Sequence, residues 1–131
     1  MQNLIVTRLG GPEDFDANEI LNPSWPDIEN AIRRLDADSC SLVVLGIGAP
    51  PVPHMAIGGG QGRYIVYATT DNLTFYKAVN PNGGGGKCDL VAGGQRGSYD
   101  LRICVGLDHA LCAAKTYAET GNLDASLSWE T

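Results

Sequence analysis

Cys112 follows His109 by three residues, a spacing that sets both side chains on one face of a helix, where a Cys–His nucleophile pair can form. Its neighbours are Leu111 and Ala113 in an alanine-rich stretch, and that setting predicts a thiol packed in the core rather than a nucleophile. His54 follows a proline-rich loop and reads as a surface or strand-end residue. Three glycine clusters invite a phosphate-binding reading, and each fails on its spacing. Gly83–Gly86 followed by Lys87 ends like a P-loop, but Pro81 stands where the first glycine belongs and Cys88 replaces the Ser or Thr that binds magnesium. Gly46-Ile47-Gly48 lacks the third glycine of a dinucleotide fingerprint, because Pro51 holds that position. Gly58–Gly62 leads into a strand, so no helix N-terminus awaits an anion there. All three are expected to be turns or bulges. Cys40, Cys88, Cys104 and Cys112 include no Cys-x-x-Cys pair, so reduced, buried thiols are expected, with no metal and no cofactor.

With no catalytic constellation in view, charge is the next source of function. The net charge is −6, and all of it lies between residues 13 and 38, where eight acids face two arginines; the rest of the chain balances seven acids against seven bases. Direct nucleic-acid binding needs clustered Lys and Arg, so it is excluded as a role. An acidic segment instead suits a basic protein partner, whose encounter it would speed. Asp14, Asp16, Glu19, Asp27 and Glu29 are the charged candidates, and Phe15 and Trp25 the aromatic anchors, since interface energy concentrates in such side chains.

These residues need a scaffold. A chain of 131 residues with 44% hydrophobic and 18% charged content fits one globular domain spanning 1–131. No apolar run approaches the roughly 20 residues of a membrane span, and Met1–Arg8 has no signal-peptide pattern, so a cytoplasmic protein is expected. Tyr64–Thr69 is aromatic, β-branched or Ala throughout and suits a strand buried on both faces. The polar turn at Thr70–Asn72 and the apolar run Leu73–Val79 complete a central hairpin. Further strands are expected at Gln2–Leu9, Ser41–Ile47, Lys87–Ala92 and Ser98–Val105, the last with Tyr99, Leu101, Ile103 and Val105 on one side. Ser24 caps a first helix running to Leu35, whose apolar face is Ile28, Ala31, Ile32 and Leu35. Asp108 is expected to cap a second helix ending at Thr120, with Leu107 stapling its entry and Gly121 closing it. The tail Asn122–Glu130 carries Leu123, Leu127 and Trp129 and should fold back onto the domain. The expected fold is α+β, a mainly antiparallel sheet of about five or six strands with two main helices packed on it.

The second half also carries a family pattern. A glycine-rich strand with an aromatic, Ile57–Tyr64, precedes Leu107-Asp108-x-Ala110-Leu111 and an alanine-rich helix. The helix ends Tyr117-Ala118-Glu119-Thr120-Gly121, followed by Leu123-Asp124-x-Ser126-Leu127-x-Trp129-Glu130. Together with Pro23-Ser24-Trp25, this resembles the immunity proteins of bacterial polymorphic toxin systems, in the family often encoded beside nucleic-acid deaminase toxins. The resemblance implies a small, non-enzymatic α+β antidote that binds a cognate toxin domain and blocks it. A deaminase acting on nucleic acid must hold a phosphate backbone near the target base, so an acidic antidote suits occlusion of its basic substrate site. The competing expectation is a small-molecule-binding or enzymatic α+β domain with a pocket between the Gly58–Gly62 loop and Tyr99.

Overall fold

The computed structural model describes residues 4–8, 17–18, 24–36, 42–47, 53–71, 73–92 and 95–131. Nine strands and two helices are assigned among them: β1 (Leu4–Arg8), β2 (Ala17–Asn18), α1 (Trp25–Arg33), β3 (Leu42–Ile47), β4 (His54–Gly60), β5 (Arg63–Thr69), β6 (Phe75–Val79), β7 (Lys87–Ala92), β8 (Gln95–Asp100), α2 (Leu107–Thr120) and β9 (Ser128–Glu130). Seven of the strands form one sheet in the order β2-β1-β3-β4-β5-β6-β9, and β7 and β8 pair separately. Every pairing is antiparallel. The expected α+β arrangement with two main helices is therefore what the chain adopts. The sheet runs to seven strands because the short β2 and β9 extend its two edges.

The β4–β5 hairpin is the middle of the sheet, and its turn explains the glycine run. Gly60 pairs with Arg63 across Gln61-Gly62, whose φ angles of 56° and 88° are both left-handed, the requirement of a type I′ turn. Gln61 bears that conformation while its Nε2 donates to the Asp36 carbonyl at 3.0 Å, tying the exit of α1 to the hairpin. Gly59 must be glycine: its φ is +102°, and a Cβ there would press on the Arg63 carbonyl.

Ser24 caps α1 as its sequence position predicts. The Ser24 Oγ accepts from Asp27 N at 3.3 Å, and the Asp27 carboxylate accepts from Ser24 N at 3.1 Å, a reciprocal capping box. The predicted face of α1, Ile28, Ala31, Ile32 and Leu35, is buried. It meets Ala110, Ala113, Ala114, Tyr117 and Ala118 of α2 and Val43, Leu45, Met55, Ile57, Tyr64, Val66 and Ala68 of the sheet in one core. Helix α2 begins one residue before the expected Asp108 cap. Gly106 is the N-cap and makes no side-chain bond, Leu107 packs against the core, and Asp108 lies in the first turn, where its charge suits the helix dipole. Gly121 ends the helix with φ 76°, as expected.

The strand expected over Ser98–Val105 is broken. It stops at Asp100, a 3-10 turn occupies Leu101–Ile103, and Val105 pairs with Tyr64 through two backbone bonds of 2.8 Å. The cause is a change of layer. Alternate residues of β5 face opposite ways: Tyr64, Val66 and Ala68 enter the helix-side core, whereas Ile65 packs with Cys88, Leu90, Cys104, Tyr99 and Leu101 in a second cluster. The β7–β8 hairpin thus covers part of the face away from the helices, and the 3-10 turn returns the chain from that layer to the sheet. Strand β5 is consequently not buried on both faces as expected; Ile65 and Tyr67 are only half-buried.

The tail folds back as expected. β9 pairs with β6, setting Trp129 opposite Ala78 and Glu130 opposite Lys77. Trp129 Nε1 donates to the Asp124 carbonyl at 3.0 Å, and its ring packs against the core with Leu123 and Leu127.

Candidate functional site

Among the charged and aromatic residues proposed for partner binding, Asp14, Phe15, Asp16 and Glu19 lie outside the described residues. The other three sit on the first half of α1. Asp27 spends its carboxylate on the capping box. Glu29 holds Arg33 through Nε at 3.0 Å and Nη2 at 2.9 Å, an exposed i, i+4 pair of small energetic weight. Trp25 is half-buried against the core, with the Lys115 ammonium 6.0 Å above its ring centroid. These three therefore share a helix face that is internally organised: one acid fixes the helix start, one holds an arginine, and the indole leaves part of its surface to solvent.

The His109–Cys112 pair resolves against nucleophilic chemistry. Cys112 is exposed, not in the core as expected; its Sγ donates to Asp124 Oδ2 at 3.0 Å. That bond stabilises the thiol, and with some burial it pushes the Cys112 pKa up, the opposite of what a thiolate nucleophile needs. Asp124 also accepts from Thr116 Oγ1 at 2.7 Å and from Ser126 N and Oγ at 2.8 and 2.6 Å. These bonds, the Ser126 hydroxyl foremost, hold its carboxyl far below the usual carboxylate range. Asp124 is thus a clasp between α2 and the tail. His109 is partly buried, which lowers its pKa against the opposing pull of Asp124, and its Nε2 has no hydrogen-bond partner. No group of three or more His, Cys, Asp or Glu suited to a metal ion occurs among the described residues.

Sequence reasoning missed one surface. On the face away from the helices, the β7–β8 hairpin stops short of β6 and leaves a groove of about 750 Å³. Ile65, Tyr67 and Phe75 form its floor, Tyr99 and Ile103 one wall, and Lys77 brings a charge. An aromatic row crosses the sheet here: His54 meets Tyr67 edge-on at 6.4 Å between centroids, and Tyr67 meets Phe75 at 5.8 Å. Burial, and then nearby Tyr99, push the Tyr67 phenol pKa up. At the rim stands Leu73, 84% exposed. Its turn is held by Asp71 Oδ1, which accepts from Leu73 N at 2.9 Å and Thr74 N at 2.8 Å, with Thr69 Oγ1 at 3.4 Å. The Thr74 and Leu73 N–H groups keep the Asp71 carboxyl below its ordinary value.

This groove departs from the alternative pocket in one respect: Tyr99 does line it, but none of Gly58–Gly62 does. His109 does not reach it either, because α2 packs on the opposite face. The signal available in the sequence was the period-2 placement of Ile65 and Tyr67, which marks a second face with cover of its own.

A family model described as "Immunity protein Imm1" matches residues 16–131. No curated protein matches the chain. None of the described helices is long and apolar enough to cross a membrane.

Proposed function

The chain belongs to the Imm1 family of immunity proteins, which are antidotes to partner toxins, and we propose that it neutralises its cognate toxin domain by direct, non-enzymatic binding in the bacterial cytoplasm. The proposed target is a nucleic-acid deaminase of a polymorphic toxin system, and the proposed mode is occlusion of its basic substrate site. One observation of the chain itself supports this mode: the whole net charge of −6 is concentrated between residues 13 and 38. A toxin groove that holds a phosphate backbone presents clustered Lys and Arg. An acidic segment laid across it excludes substrate by charge and bulk and accelerates the encounter.

In this reading Asp14, Asp16 and Glu19 supply the steering charge, with Phe15 and Trp25 as anchors. Asp27 and Glu29 add to the field from α1 while keeping their structural bonds. The experiment is co-expression and binding with the toxin domain encoded beside this chain. Reversing Asp14 and Asp16 to Lys is expected to slow association and flatten its dependence on salt, because rim charges act mainly on the on-rate. Trp25→Ala is expected to hasten dissociation in a protein that still folds. Full neutralisation by a protein carrying all three changes would place the interface elsewhere. A toxin that is neutralised but has no deaminase activity on DNA or RNA would remove the deaminase while leaving the antidote role.

A further inference from the structure

The second cluster holds a pair of groups that toxin binding does not use. Cys88, the second residue of β7, and Cys104, directly after the 3-10 turn, bring their Sγ atoms to 2.9 Å. That is within about 1 Å of a covalent sulfur–sulfur bond of ~2.05 Å. Both are free thiols, and both are buried, at 7% and 4% exposure. The backbone on either side is fixed. β7 is paired along its length with β8. Cys104 N donates to the Leu101 carbonyl at 3.1 Å, and the Cys104 carbonyl accepts from Asn80 Nδ2 at 3.0 Å. Val105 is locked to Tyr64. No chain movement is needed to bring the sulfurs together.

We propose that Cys88 and Cys104 form a dithiol–disulfide site, closed by oxidants of the small-molecule disulfide class, that bolts the β7–β8 layer to the main sheet. The step is thiol–disulfide exchange. One protein thiol loses its proton and, as thiolate, attacks a sulfur of the oxidant, forming a mixed disulfide and expelling one thiolate of the oxidant. The second protein thiol loses its proton and attacks the protein sulfur of that mixed disulfide, expelling the other thiolate. Two thiols become one disulfide, the oxidant is reduced to two thiols, and the two protons released end on them. Cys88 is the entering nucleophile. The Cys104 proton is held by burial first and the Cys88 contact second, which push its pKa up to about 12.

In a reducing compartment the dithiol is the resting form, and a rise in disulfide oxidant closes the bond. Closure joins β7 to the turn carrying Ile103, so one wall of the groove is tied to the layer that carries Tyr99. Because both sulfurs are buried, the rate of closure follows opening of the β7–β8 layer and is slow against an exposed thiol such as Cys112.

The test uses the full chain in Cys112→Ser background, folded, incubated with oxidised glutathione and then mapped by mass spectrometry. Expected is a mass lower by two hydrogen atoms, a cross-linked peptide joining Cys88 to Cys104, and a melting temperature raised by roughly 10 °C, which dithiothreitol reverses. Cys104→Ser should abolish the cross-link and the shift and leave a glutathione adduct on Cys88. Four outcomes overturn the proposal: free Cys88 and Cys104 after prolonged exposure, a stable adduct on Cys88 with Cys104 intact, a cross-link through Cys40, or closure with no change in melting temperature. Cys88→Ala, which keeps the site apolar, serves if the serine variant fails to fold.

Discussion

On one face of the seven-stranded sheet, two helices and the sheet bury eighteen of the described residues in a single cluster; on the other, the β7–β8 hairpin buries three. Both layers obey the same alternation along β5, which sends Tyr64 and Val66 one way and Ile65 the other. What differs is depth. The helix side is a core in the full sense, several side chains thick, where Ile32, Met55 and Ile57 have no exposed surface. The hairpin side is one side chain thick, and a two-stranded hairpin on its own is marginal in water. Its attachment leans on backbone bonds, Leu101 N to the Gly86 carbonyl at 3.0 Å and Asn80 N to the Arg102 carbonyl at 2.6 Å, and on the Cys88–Cys104 contact. The lesson is that one sheet carries a cooperative half and a half that opens on its own.

Truncating one buried side chain on each face breaks this comparison or sharpens it. Ile32→Ala removes a fully buried side chain from the thick core and is expected to cost about 3–4 kcal/mol. Leu90→Ala is expected to cost about 2 kcal/mol, the low end for such a change, because a thin layer near solvent collapses or hydrates readily. Chemical denaturation measures both. Hydrogen exchange separates them further: amides of β7 and β8 should exchange faster than those of β4 and β5, and Leu90→Ala should accelerate β7 and β8 alone. Equal protection across the two layers would show that the molecule unfolds as one unit.

The thick half was readable in the sequence because its signals are local and periodic. Ile28, Ala31, Ile32 and Leu35 announce a helix face, Ser24 and Asp27 announce its start, and Gly121 announces an end. The thin half was not, because its strands and turn serve two layers at once. Tyr99, Leu101, Ile103 and Val105 alternate like one strand, yet Tyr99 and Leu101 pack in the second cluster and Val105 in the first, with a 3-10 turn between. Periodicity reports which residues share a side, not which layer that side meets. Cys112 misled for a related reason: its apolar neighbours in sequence do not register the Asp124 clasp, which comes from beyond the end of the helix. Of the candidate partner-binding residues, Trp25, Asp27 and Glu29 have structural tasks that their types alone did not reveal.

The clasp offers a smaller perturbation on the thick side. Asp124→Asn keeps the shape and the Trp129 bond to the backbone carbonyl but removes the carboxylate that gathers Cys112, Thr116 and Ser126. The folded carboxyl sits below its unfolded value of about 3.9, so its contribution is fully present above that pH and is lost as pH falls from about 4 towards the lower folded value. The wild-type melting temperature should therefore fall more steeply below pH 4 than that of the variant. At pH 7 the variant should melt a few degrees lower. Parallel acid limbs would mean that the carboxylate does not couple to folding.

The smallest expected effect lies where the thin layer stops. Leu73 is almost wholly exposed, and the bonds that shape its turn come from backbone N–H groups and Asp71, not from its side chain. Leu73→Ser is therefore expected to change stability by no more than about 0.5 kcal/mol. Trp25 packs on the opposite side of the sheet from the groove, so a partner held at α1 does not need Leu73. Toxin neutralisation by Leu73→Ser should then match wild type, while Trp25→Ala weakens it. A folded Leu73→Ser protein that dissociates faster from the toxin would reverse this assignment. It would make the groove, with Tyr67, Phe75 and a preset leucine at its rim, the binding face, and the acidic segment an aid to encounter alone.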